Sequence, residues 1–272
     1  MLVTPFDQDE KLDIHSIKRV VEKANETGCV GVVALGEMGE WRRLTDEERS
    51  VILNEVMETN NHRLKVTVGT TAASTFAAVQ RAKEAEQAGA SAIMVAPPPI
   101  AKPNPAAVQT FYQRVADSVS IPLVVQDFPQ ASGVHMSPQF VAQLLTCIPS
   151  FRYLKLEDPP TPTKVSRIQD QVGNSLGIFG GLGGAFLLDE LSRGAIGAMT
   201  GFAYPEVLVE VIKLSFSGQS KKAAEVFNRF LPLILFENQD GINLSIRKEA
   251  IKERGLISTA KTRHPGGGID DA

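Results

Sequence analysis

One lysine of this chain lies where a lysine is energetically costly. Lys155 interrupts the otherwise apolar segment 153–156, which belongs to a run at 152–156 that predicts a buried strand. Burial disfavours the charged form of an amine, and a neutral amine can attack a carbonyl carbon to form a Schiff base. Glu157 follows two residues later and can face the same side, where it could shuttle protons. A lysine that reaches solvent, or a salt bridge between the two residues at the rim, explains the pattern without chemistry.

Other polar residues and glycines follow other predicted strands. Gln126 and Asp127 end the run that starts at residue 122, and only one of them can point towards Lys155, because neighbours in a strand face opposite sides. The remaining candidates for substrate contact or proton transfer, which also come directly after predicted strands, are Gly36, Glu37, Met38, Thr70, Thr71, Gly180, Gly181, Thr200 and Gly201.

The glycine-rich segment 180–184 has two interpretations. Residues without a side chain let a substrate approach the backbone, and the helix that follows offers amide donors to an anion. A tight turn between strand and helix requires the same residues. The segment does not match the GxGxxG pattern of dinucleotide sites, and the four histidines form no cluster, so the sequence predicts neither a dinucleotide cofactor nor a metal site.

The elements that must position these residues alternate regularly. Short β-branched apolar runs predict eight strands, at residues 2–4, 29–35, 64–68, 91–95, 122–125, 152–156, 176–179 and 195–199. Amphipathic segments between them predict helices, and Thr45 with Glu48 forms a capping box that opens one of them. Eight such repeats favour an α/β fold of the TIM (β/α)8 barrel type over a doubly wound sheet, which usually has fewer strands. Active sites of TIM barrels lie at the carboxyl ends of the strands.

The chain is organised around one barrel without a linker. We expect the barrel in residues 1–217, helices packed on it in residues 218–260, and a disordered tail in residues 261–272, where Pro-Gly-Gly-Gly is followed by two aspartates.

Charge and composition exclude several classes of protein. The net charge of −3 over 272 residues carries no electrostatic footprint for nucleic acid or for an anionic membrane. No apolar run approaches the roughly 20 residues of a membrane helix. The two cysteines, Cys29 and Cys147, are far apart and predict no disulfide framework. With no secretory signal at the start, these features predict a cytoplasmic protein that binds neither membranes nor nucleic acid.

Three segments together resemble a known superfamily, that of dihydrodipicolinate synthase and N-acetylneuraminate lyase. The opening Leu-Val-Thr-Pro-Phe at residues 2–6 looks like its first strand, the segment Gly-Glu-Met-Gly-Glu at residues 36–40 looks like its GxTGE motif, and Lys155 falls where it keeps a Schiff-base lysine. The resemblance implies a class I lyase on a TIM barrel with a C-terminal helical extension. It also implies a small 2-oxo acid as substrate, no cofactor, and a homo-oligomer, commonly a tetramer.

Departures from the superfamily pattern restrict the chemistry. Gln126 stands where the family usually has a proton-relay tyrosine, and Glu37 and Met38 stand where it has hydroxyl side chains. The chain has only three tyrosines, none at the family's relay positions. By resemblance, proton transfer then passes to Glu37 and Glu157, and Gln126 positions the substrate or a water. The pattern around Gln126, Lys155 and residues 197–201 is similar to the branch of 2-keto-3-deoxy-L-arabonate dehydratases.

A mechanism follows from this resemblance as a hypothesis. Lys155 forms an iminium at C2 of a 2-oxo acid, a base removes a C3 proton, and the C4 hydroxyl leaves as water. The substrate carboxylate rests on backbone amides or on the hydroxyls of Thr70 or Thr71. Two alternatives remain open at this point: a pyruvate-dependent aldolase, including 4-hydroxy-tetrahydrodipicolinate synthase, and a barrel that binds a small acid without catalysis.

Overall fold

The computed structural model describes residues 1–99, 102 and 104–270. The strands in this part of the chain are β1 (Gly31–Ala34), β2 (Lys65–Gly69), β3 (Ala92–Val95), β4 (Leu123–Asp127), β5 (Phe151–Leu156), β6 (Gly177–Gly180) and β7 (Gly197–Ala198). The helices are α1 (Ile14–Glu26), α2 (Asp46–Asn60), α3 (Thr75–Gln87), α4 (Pro105–Ala116), α5 (Pro129–Ser132), α6 (Pro138–Cys147), α7 (Thr161–Val172), α8 (Leu187–Ser192), α9 (Pro205–Phe216), α10 (Ser220–Glu237) and α11 (Asn243–Glu253).

The strands follow one another in the sheet in chain order, from β1 to β7. The pairings from β2 to β7 are all parallel, and helices connect the successive strands. This order, with α10 and α11 after the last strand, confirms the predicted α/β class of TIM-barrel type with C-terminal helices.

Burial explains why β3 and the first three residues of β4 are apolar. Every residue of β3 and β4 is buried, as expected for parallel strands that are covered on both faces. The capping box at the start of α2 is also confirmed, because the Thr45 hydroxyl accepts from the Glu48 amide and the Glu48 carboxylate accepts from the Thr45 amide.

The first predicted strand, residues 2–4, is not a strand in the structure. Leu2 donates a backbone hydrogen bond to the carbonyl oxygen of Val33 in β1, at 2.9 Å. The hydroxyl of Thr4 instead donates to the carbonyl oxygen of Gly39, at 2.7 Å. The apolar residues of this run are buried, as predicted, but its backbone leaves the neighbouring strand after one contact.

The chain divides into two compact units. Unit 1 consists of Met1–Val66, Gly183–Ala185 and the C-terminal segment that begins at Thr200, and it contains α1, β1, α2 and α9–α11. Unit 2 consists of Thr67–Leu182 and Phe186–Met199, and it contains β3–β7 and α3–α8. The division into residues 1–217 and 218–260 stays a prediction.

The start of the tail is packed in unit 1, which corrects the prediction of disorder for that part. Arg263 donates to both carboxylate oxygens of Glu48 at 2.7 Å, and the Lys248 amine donates to the carbonyl oxygen of Lys261, also at 2.7 Å. The composition of the tail concealed these contacts, because a bidentate arginine can hold a segment that has few apolar residues. Residues 271–272 of the predicted tail lie outside the described residues.

Candidate active site

Register brings Lys155 and Gln126 side by side in unit 2. Gln126 of β4 pairs with Lys155 of β5, so the two side chains leave the same face of the sheet near the carboxyl ends of both strands. Lys155 is only 2% exposed, and its amine lies 3.1 Å from Oε2 of Glu157. The predicted pairing of Lys155 with Glu157 is therefore present, and it is buried rather than at a solvated rim.

Glu157 connects the lysine with the amide. Its backbone amide donates to the carbonyl oxygen of Asp127 at 2.9 Å, which continues the β4–β5 ladder by one residue and directs the side chain back towards Lys155. The Gln126 amide donates to Oε2 of Glu157 at 2.7 Å, the same oxygen that faces the amine. Two donors thus stabilise one carboxylate oxygen in a buried site. We call Lys155, Glu157 and Gln126 the inner group.

Asp127 lies on the opposite face of the same strand. Its Oδ2 accepts a hydrogen bond from the Lys164 amine of α7 at 2.6 Å, and this amine also donates to Asp158 at 2.7 Å. Asp127 pairs with Leu156 rather than with Lys155. The alternation of the strand turns its side chain towards α7, and its predicted role in substrate binding stays a prediction. We call Asp127, Lys164 and Asp158 the outer group.

Burial dominates the electrostatics of the outer group. It raises the pKa of Asp127 to about 6, although the charge and the hydrogen bond of Lys164 oppose this rise. The buried hydroxyl of Tyr112 in α4 has a pKa well above its usual value, because of burial and the nearby charge of Asp127. This tyrosine lies on the outer side of the sheet, so it cannot replace a relay hydroxyl of the inner group.

The glycines at the end of β6 make room for two carboxyl groups. A Cβ atom on Gly181 would come within 2.3 Å of the Glu157 side chain, and one on Gly180 would come within 1.8 Å of Oε2 of Glu190. We had expected these glycines to let substrate approach the backbone. The spaces where their Cβ atoms would lie are filled by acidic side chains of the protein, and the substrate-binding role of Gly180 and Gly181 stays a prediction.

Glu190 is a buried acid that the sequence did not single out. It is 1% exposed in α8, and its Oε1 accepts a hydrogen bond from the Thr161 hydroxyl at 2.6 Å. Burial raises its pKa to about 7, against the lowering effect of Thr161. Its neighbour Asp189 is exposed. The only sequence signal is the helical spacing that places Glu190 three residues after the buried Leu187.

The predicted threonines after β2 are buried in unit 2. The Thr71 hydroxyl accepts a hydrogen bond from the amide of Ala96 at 3.0 Å, which leaves its proton available to a ligand. The Thr70 hydroxyl lies 3.5 Å from the carbonyl oxygen of Met94. A contact between either hydroxyl and a substrate carboxylate stays a prediction.

The motif at residues 36–40 lies in unit 1, where Glu37 is already engaged. Its Oε1 accepts a hydrogen bond from the Trp41 indole at 2.8 Å and lies 3.4 Å from the Arg42 guanidinium. The turn begins at Gly36, which adopts an extended backbone. These contacts hold the Glu37 side chain against residues of the next turn.

A second set of residues from the predictions meets in the same unit. Met38 packs against Gly201, where a Cβ atom would lie 2.8 Å from its side chain. Its sulfur accepts a hydrogen bond from the Arg247 guanidinium at 3.2 Å, and the same arginine donates to Asn238 at 3.0 Å. Thr200 contributes its carbonyl oxygen to the N-terminal amine, at 2.7 Å. The sequence did not single out Arg247, since an arginine in an amphipathic helix looks like a solvent-exposed charge.

Two predicted absences were also compared with the structure. Over residues 1–99, 102 and 104–270, there is no group of three or more histidine, cysteine, aspartate or glutamate side chains able to hold a metal ion. None of the helices in the described part of the chain combines the length and the apolar character that crossing a bilayer requires.

Comparison with known proteins gave consistent matches. The profile of the dihydrodipicolinate synthetase family matches residues 1–272. The chain is 33% identical over 267 residues to an L-2-keto-3-deoxyarabonate dehydratase of Azospirillum brasilense. The matched region covers 96% of this chain and 85% of that protein. It is 29% identical over 268 residues to a 4-hydroxy-tetrahydrodipicolinate synthase of a Sulfurihydrogenibium strain. This match covers 97% of this chain and 89% of that protein.

A solved structure is also similar. The crystal structure of a dihydrodipicolinate synthase from Rhodopseudomonas palustris superposes with a TM-score of 0.93 at 36% sequence identity, and the match covers 99% of this chain and 91% of that one.

Proposed function

Because this chain belongs to the dihydrodipicolinate synthetase family and is a class I lyase of the Schiff-base type, we propose that it removes water from a 2-keto-3-deoxy sugar acid. The observation that carries the proposal is the inner group, in which a buried lysine faces one carboxylate and one amide. The relative in Azospirillum brasilense, named as a dehydratase of such an acid, supports the choice of substrate class.

The first step uses the amine of Lys155. The neutral amine attacks C2 of the 2-oxo acid, and the carbinolamine loses its hydroxyl as water to leave an iminium. The carboxylate of Glu157, 3.1 Å from the amine, is placed to accept a proton from the attacking nitrogen and to return it to the departing hydroxyl. Gln126 does not titrate, so its hydrogen bond to Glu157 orients the carboxylate rather than exchanging protons.

The second step is the elimination. The iminium withdraws electrons from C3, Glu157 removes a C3 proton to form the enamine, and the electron pair of the enamine expels the C4 hydroxyl. That hydroxyl takes a proton and leaves as water. The remaining conjugated iminium loses a proton from C5 and gains one at C3, which turns the C5 alcohol into an enol and then an aldehyde. Hydrolysis of the iminium then frees Lys155 and a 2-oxo semialdehyde that has one water less than the substrate.

The other predicted site residues have supporting roles in this proposal. The hydroxyls of Thr70 and Thr71 are our candidates for holding the substrate carboxylate. Gly36, Met38, Thr200 and Gly201 are candidates for contacts with the rest of the substrate. Glu37 is the second candidate for proton transfer, after Glu157, because Trp41 and Arg42 already stabilise its carboxylate.

A pyruvate-dependent aldolase or synthase is the second candidate function, favoured by the relative named as a 4-hydroxy-tetrahydrodipicolinate synthase. It shares the lysine and differs in the bond that breaks. The residue beside Lys155 in register is Gln126, an amide. An amide cannot carry the proton that a relay tyrosine carries in carbon–carbon bond formation, which favours the dehydratase.

The test combines trapping with product analysis. We expect borohydride with 2-keto-3-deoxy-L-arabonate to label Lys155 covalently, as read by peptide mass spectrometry. We expect turnover to give a 2-oxo semialdehyde and no pyruvate. Release of pyruvate would instead establish the aldolase, and binding of the acid without an adduct or turnover would establish a non-catalytic acid-binding protein.

We also propose a homotetramer in the cytoplasm. The tetramer is supported by family resemblance, and light scattering of the purified protein measures it directly. The reducing compartment is supported by two free cysteines, of which Cys29 is half-buried and Cys147 is exposed.

A further inference from the structure

Glu190 has no role in the mechanism above, yet it is one of the most buried acids in unit 2. Its side chain comes from α8 and reaches the end of β6, where Oε1 accepts the hydrogen bond of Thr161. Its Oε2 is buried and, within the described residues, has no hydrogen-bond partner. An ionised carboxylate in this position would have one oxygen without any stabilising donor, so burial favours the neutral acid.

The carboxyl groups of Glu190 and Glu157 flank the same two residues of backbone. Gly180 pairs with the outward-facing Leu156, and its missing Cβ gives space to Glu190. The missing Cβ of Gly181 gives space to Glu157. Because consecutive residues face opposite sides, one acid approaches from the helix side and the other from the side of Lys155. The backbone of these two glycines lies between the two carboxyl groups, and the charge of Glu157 contributes to raising the pKa of Glu190.

The two charged groups that act on the pKa of Glu190 are both negative, and the nearest lysine of the inner group, Lys155, lies against Glu157 rather than Glu190. Asp189 precedes it on α8, and Glu157 faces it from the end of β5. Thr161 at the start of α7 contributes a neutral donor, and Gly180 of β6 contributes no side chain. In the part of the chain that the structure describes, no lysine, arginine or histidine forms an ion pair with Glu190. Its ionisation would therefore add a second, uncompensated negative charge beside the inner group.

We propose that Glu190 is a positioning residue that keeps a single negative charge beside Lys155: neutral Glu190 supports Schiff-base formation, and its ionisation slows that step. This inference rests on the proposed Schiff-base chemistry of Lys155.

The physical reason is the coupling of neighbouring charges. A negative charge near an amine favours the ammonium form of that amine, and an ammonium group cannot attack a carbonyl. The pKa of about 7 for Glu190 places this transition near neutral pH. The protein would thus form its Schiff base less efficiently above pH 7 than the inner group alone would.

The experiment compares Glu190→Gln with the wild type over a range of pH. Pyruvate is the probe, cyanoborohydride traps the imine, and the rate of labelling of Lys155 is read by mass spectrometry. We expect the ratio of the variant rate to the wild-type rate to be constant below about pH 6. We expect it to rise by about three- to tenfold as the pH passes 7, because the amide cannot ionise. Glu210→Gln, the same change at an exposed position of α9, is the matched control and should give a flat ratio.

A second pair of variants keeps the inference testable if Glu190→Gln folds poorly. Thr161→Val removes the hydrogen bond that lowers the pKa of Glu190. In this variant the pH at which ionisation of Glu190 begins to slow labelling should therefore be higher than in the wild type. Thr161→Ser keeps the hydroxyl and should restore the wild-type profile. A variant-to-wild-type ratio that is the same at every pH, or a Thr161→Val profile that does not move, would overturn the inference. Failure of the wild type itself to form an adduct would instead refute the proposed function, and the inference with it.

Discussion

Two buried lysines meet carboxylates at the ends of β4 and β5, and they differ in what surrounds them. In the inner group, Lys155 faces one carboxylate, and an amide shares the same oxygen. In the outer group, Lys164 donates to two carboxylates, at 2.6 and 2.7 Å. Exposure does not separate the two lysines, because Lys155 is 2% exposed and Lys164 is 8% exposed. The difference teaches that charge balance and the side of the sheet, rather than burial, distinguish a candidate nucleophile from a structural cation.

The largest expected effect comes from exchanging each lysine for arginine. Lys155→Arg keeps the positive charge but removes the nucleophilic amine, so we expect loss of kcat by more than about 10³-fold and no trapped adduct. Lys164→Arg keeps a cation for Asp127 and Asp158, so Lys155 should still be labelled with a 2-oxo acid. Steady-state kinetics and borohydride trapping measure both variants. Labelling of Lys164 rather than Lys155 would reverse the assignment of the two groups.

The next effect concerns the carboxylate of the inner group. Glu157→Gln keeps the size of the side chain but removes the base, and we expect kcat to fall by about 10²- to 10⁴-fold. The matched variant is Asp158→Asn, which removes a carboxylate of the outer group one residue later. Rapid-quench kinetics should show that elimination slows in the first variant only. Equal losses in the two variants would mean that Glu157 acts through the stability of the strand end.

A change in the outer group should lower the stability of the protein and leave the chemistry of Lys155 intact. Asp127→Asn removes the buried partner of Lys164, and we expect the free energy of unfolding to fall by about 1–3 kcal/mol, since Asp158 still binds the amine. Chemical denaturation measures this change, and trapping of Lys155 should persist. A loss of labelling with unchanged stability would contradict the separation of the two faces.

The smallest effect is the pH dependence of stability that Glu190 introduces. Its pKa is raised from 4.5 to about 7 in the folded protein, so between these values the native state binds more protons than the unfolded state. The free energy of unfolding of the wild type should therefore fall, relative to Glu190→Gln, as the pH rises from about 4.5 to about 7. Denaturation at several pH values measures the difference, and a constant difference would show that Glu190 ionises normally.

The sequence predicted the elements well where the signal is local. The run that became β3 is continuous and apolar because both faces of this strand are covered, and the Thr45 capping box depends on two residues of one turn. The first predicted strand failed because strand pairing depends on a neighbour. Leu2 reaches Val33, but Thr4 finds a different acceptor.

The candidate site was predictable only in part, for the same reason. Lys155 stood out because a charge in an apolar run is unusual, and its pairing with Glu157 follows from strand alternation. The adjacent acids Asp189 and Glu190 look alike in the sequence, yet the first is exposed and the second is buried. The rotation of α8 against the sheet decides which of them turns inward, and no local pattern specifies that rotation.

By itself, the sequence determined the alternation of strands and helices, the lysine within an apolar strand and the absence of tyrosines at the expected relay positions. Only the tertiary structure decided which acid serves which lysine. The register of β4 against β5 puts Gln126 beside Lys155 and turns Asp127 towards α7. The packing of α8 brings Glu190 to the glycines beside Glu157. Hydrogen bonds and charge coupling act over a few ångströms, so they depend on contacts between residues that lie far apart along the chain.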